Sequence, residues 1–77
     1  MKAREMFEEL GYTYRTICYK GEIDEIEYVT KGKYDTQIRF NIRNKVFKAY
    51  YGMEENSAWL SIEHLQAINK QVEELGW

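Results

Sequence analysis

Apolar residues recur along the chain with two different periods, and the switch between them divides it into three parts. Near the start, Ala3, Met6, Phe7 and Leu10 fall at i, i+3, i+4 and i+7, the spacing that gathers side chains on one face of a helix. Lys2, Arg4, Glu5, Glu8 and Glu9 are left mostly outside. Near the end, Leu65, Ile68, Val72 and Leu75 repeat the spacing with Ile62 one turn earlier, which predicts a second helix from about Ile62 to Leu75, capped by Ser61. Gly11 and Gly76 follow the two periodic runs, and glycine takes the left-handed conformation that closes a helix most easily. Each reads as a Schellman stop, which pairs Tyr12 with Phe7 and Trp77 with Val72.

Between the helices the period falls to two. Ile38, Phe40 and Ile42 alternate with Gln37, Arg39, Asn41 and Arg43, the pattern of a half-buried strand. After a turn at Asn44 and Lys45, Phe47, Ala49 and Tyr51 alternate with Val46, Lys48 and Tyr50 as its hairpin partner. Upstream, Ile26, Tyr28 and Thr30 alternate with Glu25, Glu27, Val29 and Lys31, and a further strand covers roughly Tyr12 to Tyr19, with Gly21 and Gly32 at the turns. Met53 to Ser57 reads as a polar loop and Ala58 to Leu60 as a short extended piece. The expectation is one α+β domain over residues 1–77: helix, four-stranded antiparallel meander, helix. Both helices should pack on one sheet face and leave the other to water or a partner.

Length bears on how such a domain is held. A chain of 77 residues buries only about 60% of the surface its unfolded form exposes, and small domains usually need a staple or a partner. Cys18 is the sole cysteine and His64 the sole histidine, so an internal disulfide and a Cys/His zinc site are both excluded. Twelve aromatics, seven of them tyrosine, supply large contact areas, so tight packing or a homodimer is expected instead. The charged start carries no apolar leader, and no apolar run has the length of a membrane span. The location expected is the cytoplasm.

Charge is segregated although the net is only −2. Residues 31–50 carry six basic groups and one acidic, while the flanking stretches are acidic. On the hairpin, Arg39, Arg43, Lys48 and Tyr50 share the outer face, with Glu27 on the neighbouring strand, and these five residues form the candidate partner-binding surface. Cations interleaved with an aromatic could follow a phosphate backbone. Nucleic-acid binders, however, generally carry positive charge over the whole domain, and pairing of these cations with Glu25 and Glu27 is the simpler reading. Glu8, Glu9, Glu73 and Glu74 stand at helix C-termini, where the dipole opposes them by a few tenths of a kcal/mol each.

No catalytic, metal or cofactor site is expected. Glu22, Asp24, Glu25 and Glu27 do not follow the spacing of a calcium loop, and alternation sends Asp24 to the face opposite Glu25 and Glu27. Nothing near His64 in sequence supplies a nucleophile or a polarising partner. Cys18 reads as a buried small hydrophobe rather than a reactive thiol.

The opening Lys2 to Tyr12, with Met6, Phe7, Glu8, Glu9, Leu10 and Gly11, the closing Ile62 to Trp77, and Ile38, Arg39, Phe40 followed by Phe47 to Tyr51 resemble a group of short uncharacterised proteins from phages and prophages of low-GC Gram-positive bacteria. The resemblance implies a setting in the bacterial host cell and brings no activity with it. The functional expectation is a non-enzymatic phage or prophage accessory protein that binds a host or phage protein. Nucleic-acid binding through the basic hairpin is the alternative.

Overall fold

The computed structural model describes residues 1–30, 35–52, 56–57 and 59–77. Its elements are α1 (Ala3–Glu9), β1 (Thr13–Tyr19), β2 (Glu22–Val29), β3 (Thr36–Asn41), β4 (Val46–Tyr51), β5 (Asn56–Ser57) and α2 (Ile62–Leu75). The strands form one antiparallel sheet in sequence order, so the α+β meander between two helices is as the periodicity predicts. One detail differs. Asn56 and Ser57, expected in a loop, pair with Tyr51 and Tyr50 and extend the sheet, past a Gly52 in the left-handed conformation (φ 74) at the end of β4. The extended piece expected from Ala58 begins outside the described residues, and the turn expected at Gly32 lies outside them.

The β1–β2 hairpin turns at Lys20 and Gly21, both with positive φ (52 and 82), a backbone twist that matches the twist of the flanking strands. The register then shifts by one between Ile17 and Cys18. Asp24 is the extra residue on β2, since Ile17 lies opposite Glu25 and Cys18 opposite Ile23.

Both helices lie on the same sheet face. Phe7 of α1 and Ala67 and Ile68 of α2 close over Ile26, Tyr28, Ile38 and Phe40, with Tyr12 at the junction. Phe7 stacks on Tyr28 with ring centroids 3.9 Å apart and meets Tyr12 and Phe40 edge-on at 5.7 and 6.4 Å. The Tyr28 hydroxyl, carried into the core, donates to Gln71 Oε1 at 2.5 Å, so both buried polar groups are satisfied.

Helix ends follow the glycine signals. The Tyr12 amide reaches back to the Phe7 carbonyl at 3.0 Å and the Trp77 amide to the Val72 carbonyl at 3.1 Å, with Gly11 and Gly76 at φ 93 and 76. These bonds satisfy carbonyls that the helices leave free. Trp77 then packs 6.3 Å from the Phe40 ring.

The acidic helix ends also find a reason. The helices run antiparallel, and Glu74 Oε2 accepts the Ala3 amide at 2.7 Å, at the positive end of α1. A carboxylate unfavourable to its own helix is thus favourable to the neighbouring one. Glu74→Ala is expected to lower stability by about 1 kcal/mol, read as a lower urea midpoint with an unchanged slope. Glu73→Ala is the control and should change little. Among the described residues no helix is long and apolar enough to cross a membrane.

Candidate functional site

The outer face of the sheet, opposite the helices, is organised in rows by the strand register. Arg15, Glu27, Arg39 and Lys48 stand side by side across β1 to β4. The row on one side holds Val29, Gln37 and Tyr50, and the row on the other side holds Ile17, Glu25, Asn41 and Val46. Four of the five residues predicted for this face therefore meet there.

Glu27 is the centre of the arrangement and is only 1% exposed. Its Oε1 takes a hydrogen bond from Arg15, and its Oε2 takes one from Arg39 Nε at 3.0 Å and lies 2.8 Å from Arg39 Nη2 in the same ion pair. Arg39 also lies 3.7 Å from Glu25, which is bonded in turn by Asn41 at 3.5 Å. Tyr50 is buried beside this network. Its hydroxyl donates to Gln37 at 2.7 Å, and its ring carries the Lys48 ammonium at 4.8 Å and the Arg39 guanidinium at 5.9 Å. Long side chains thus cover the middle of the face, in the cation–carboxylate pairing with Glu25 and Glu27 that the sequence suggests, while no helix lies over it.

Burial pushes the Glu27 carboxyl up, but the hydrogen bonds and charges of Arg15 and Arg39 outweigh it and hold the group below the ordinary carboxylate range. The folded form therefore keeps this carboxylate charged at a pH where the unfolded chain would take up a proton. Its stabilising share is complete above about pH 4.3, the unfolded value, and is lost as pH falls through the lower folded value.

Arg43 stands apart from this network. β3 ends at Asn41, so the alternation expected to place Arg43 on the outer face stops before reaching it. Arg43 lies in the turn, exposed, with its Nε 3.8 Å from Asp24. Arg15 is the residue that sequence reasoning missed, because counting back evenly from the Gly21 turn places it opposite Ile26. The extra residue at Asp24 brings it opposite Glu27 instead.

A second polar cluster joins the helices. Ser61 Oγ lies 2.7 Å from His64 Nδ1, and His64 Nε2 lies 2.9 Å from the Tyr12 hydroxyl. The Ser61 amide also donates to Nδ1 at 3.4 Å, which makes Nδ1 the acceptor and Nε2 the nitrogen that donates to Tyr12. His64 therefore has polar partners after all, Ser61 three positions before it and Tyr12 52 positions away. The arrangement is a capping box with histidine in the place usually held by glutamate, and it ties the start of α2 to the residue that stops α1.

Burial depresses the His64 pKa, against a smaller opposing pull from Glu63. The unfolded chain thus takes up this proton more readily than the folded one, and stability should fall as pH drops below about 6.5. Urea midpoints measured between pH 7.5 and 5 should decline in the wild type and stay flatter in His64→Gln.

Cys18 is exposed on β1, in contrast to the buried thiol expected. β1 is the sheet edge and no helix reaches its far end, so alternation does not turn Cys18 into a core. Among the described residues, no group of three or more histidine, cysteine, aspartate and glutamate side chains is placed to hold a metal.

The third feature is apolar. Between β4 and the first turns of α2 lies an open groove of about 290 Å³, lined by Phe47, Leu60, Ser61, Ile62, Leu65 and Ile68. Phe47, Ile62 and Leu65 are 49%, 67% and 50% exposed, and Trp59, next to Leu60 in the chain, is 99% exposed. The helix layer covers β2 and β3 but leaves this flank of β4 open.

No family model matches the chain, and neither the curated proteins nor the solved structures hold a match to it.

Proposed function

We propose that this chain is a non-enzymatic phage or prophage accessory protein that acts by binding another protein, and that the groove between β4 and α2 is the contact surface. The observation that carries the proposal is the apolar groove lined by the half-exposed to largely exposed Phe47, Ile62 and Leu65. Contiguous exposed apolar side chains with a polar surround mark interaction sites more often than they mark ordinary surface. The partner fitted to such a groove is a protein segment presenting apolar side chains, a host or phage protein in the setting that the resemblance implies.

The outer face supports this choice by contrast. Arg39 is shared between Glu25 and Glu27, and Arg43 faces Asp24. Positive charge already met by carboxylates within the fold releases few counterions on meeting a phosphate backbone, so the nucleic-acid alternative is the weaker one. A gel shift at low salt should show no retention of DNA or RNA.

The test compares three baits in quantitative capture from host cells: wild type, an Ile62→Glu/Leu65→Glu double variant, and Lys48→Glu. Both groove positions are helix-surface sites, so the double variant should keep its circular dichroism. It should lose the captured partner, whereas Lys48→Glu should retain it. Retention by the groove variant, or loss with Lys48→Glu alone, would overturn the assignment.

A further inference from the structure

The alternation of hydrogen bonds across the sheet determines which backbone groups of β1 face away from β2. Between β2 and β3, the Thr30 amide donates to the Thr36 carbonyl and the Ile42 amide to the Asp24 carbonyl, in the register that sets Tyr28 opposite Ile38 and Ile26 opposite Phe40. Antiparallel pairs alternate between those that exchange both bonds and those that exchange none. Asp24, Ile26, Tyr28 and Thr30 therefore address β3, while Glu25, Glu27 and Val29 address β1. Their partners there are Ile17, Arg15 and Thr13. Tyr14, Thr16 and Cys18, the residues between and beyond, turn their N–H and C=O groups outward along an edge where, among the described residues, β2 is the only strand beside β1.

Proteins usually blunt such an edge with proline, with inward-pointing charge, or with a bulge on the edge strand itself. β1 has none of these. The chain contains no proline, the extra residue of the register shift is on β2, and the one charged side chain of β1, Arg15, is bonded to Glu27. Ile17 and Tyr19 meanwhile stand exposed.

We propose that β1 pairs antiparallel with β1 of a second copy about a twofold axis at Thr16, joining the two sheets into one. A second copy is the occupant because the strand is complementary to itself in this register. Thr16 exchanges both bonds with its twin, and Tyr14 exchanges both with Cys18 of the second copy. The charges select the register. An axis at Arg15 would set two guanidinium groups directly opposite each other, which is destabilising, whereas the axis at Thr16 sets each Arg15 against Ile17 of the other copy. The arginine stem then covers an apolar side chain that is otherwise exposed, and the two threonines form a favourable cross-strand pair. This interface lies on the opposite sheet edge from the β4–α2 groove and leaves that groove accessible.

The test is light scattering on the full chain from low micromolar to millimolar concentration, with Thr16→Pro as the variant. Proline is tolerated on an edge strand where the lost N–H faces solvent. The wild-type mass should double with concentration, while Thr16→Pro, with an unchanged circular dichroism spectrum, should remain monomeric. Amide exchange on the wild type gives a second readout, independent of whether the variant folds: Tyr14, Thr16 and Cys18 should slow together as concentration rises. A wild type that stays monomeric at millimolar concentration, or a dimer in which those three amides keep exchanging fast, would overturn the proposal.

Discussion

Phe7→Ala is expected to leave the protein largely unfolded at room temperature or to lower its melting temperature by roughly 15 °C or more. Phe7 is fully buried and is the contact through which the seven-residue helix α1 meets the sheet, touching Tyr12, Tyr28 and Phe40 at once. Truncating a buried phenylalanine costs about 3–5 kcal/mol in lost transfer free energy and cavity. A 77-residue domain has a total stability of roughly 4–12 kcal/mol on the usual per-residue scale. The loss is therefore a large share of the whole. An isolated helix of two turns is not stable in water, so α1 should detach with it, and the Schellman closure at Gly11 and the Glu74 cap on Ala3 should go too. Thermal melts followed at 222 nm would check this, and Phe7→Leu, which keeps most of the volume, should recover most of the loss.

Arg39→Ala is expected to destabilise the fold by about 2–3 kcal/mol, an unusually large effect for a residue on a sheet face that no helix covers. Removing one partner of a buried ion pair leaves the other charge without compensation, which costs up to about 5 kcal/mol when nothing replaces it. Glu27 is the buried member and keeps its bond from Arg15, so the loss should fall below that limit. The Arg39 stem beside Tyr50 adds a packing contribution. Arg43→Ala, in the turn two positions past the end of β3 and paired at the exposed surface, should change stability by no more than about 0.5 kcal/mol. The two arginines looked alike in the sequence, and urea midpoints should separate them.

Why they looked alike shows where sequence reading works in this chain. The helix ends were legible because each is written locally: a periodic apolar run, then glycine, then an aromatic that folds back, as Phe7–Gly11–Tyr12 and Val72–Gly76–Trp77 do. The hairpin of β3 and β4 was legible because strict alternation runs through Ile38, Phe40, Phe47 and Ala49. What the sequence concealed depends on register and on long-range contact. Alternation says which side of a strand a residue occupies but not where the strand stops, so Arg43 was carried past the end of β3. Even counting from a turn gives the partners of β1 until one extra residue intervenes, and nothing local announces that Asp24 is that residue. The shift turns Arg15 towards Glu27 and so completes the outer network.

Other misses have the same origin. Cys18 carries the composition of a core residue but stands on an edge strand, where alternation has no second layer to point into. His64 finds Tyr12 only because α1 and α2 run antiparallel and bring the end of one to the start of the other. The apolar groove was hidden for a related reason. Ile62 and Leu65 belong to the helical stripe that predicts burial, and only the placement of α2 over β2 and β3, short of β4, leaves them uncovered.

The charged residues of the hairpin face are part of what holds the sheet, and the proposed contact with a partner is assigned to the groove beside α2. Urea unfolding of Glu27→Ala, Arg39→Ala and the double variant tests this most directly. If the two side chains act as one unit, the double variant should lose less stability than the sum of the single losses, with a coupling of about 1 kcal/mol or more. Strict additivity, with Arg39→Ala no more destabilising than Arg43→Ala, would contradict the account and return Arg39 to the surface as a residue free to meet a partner.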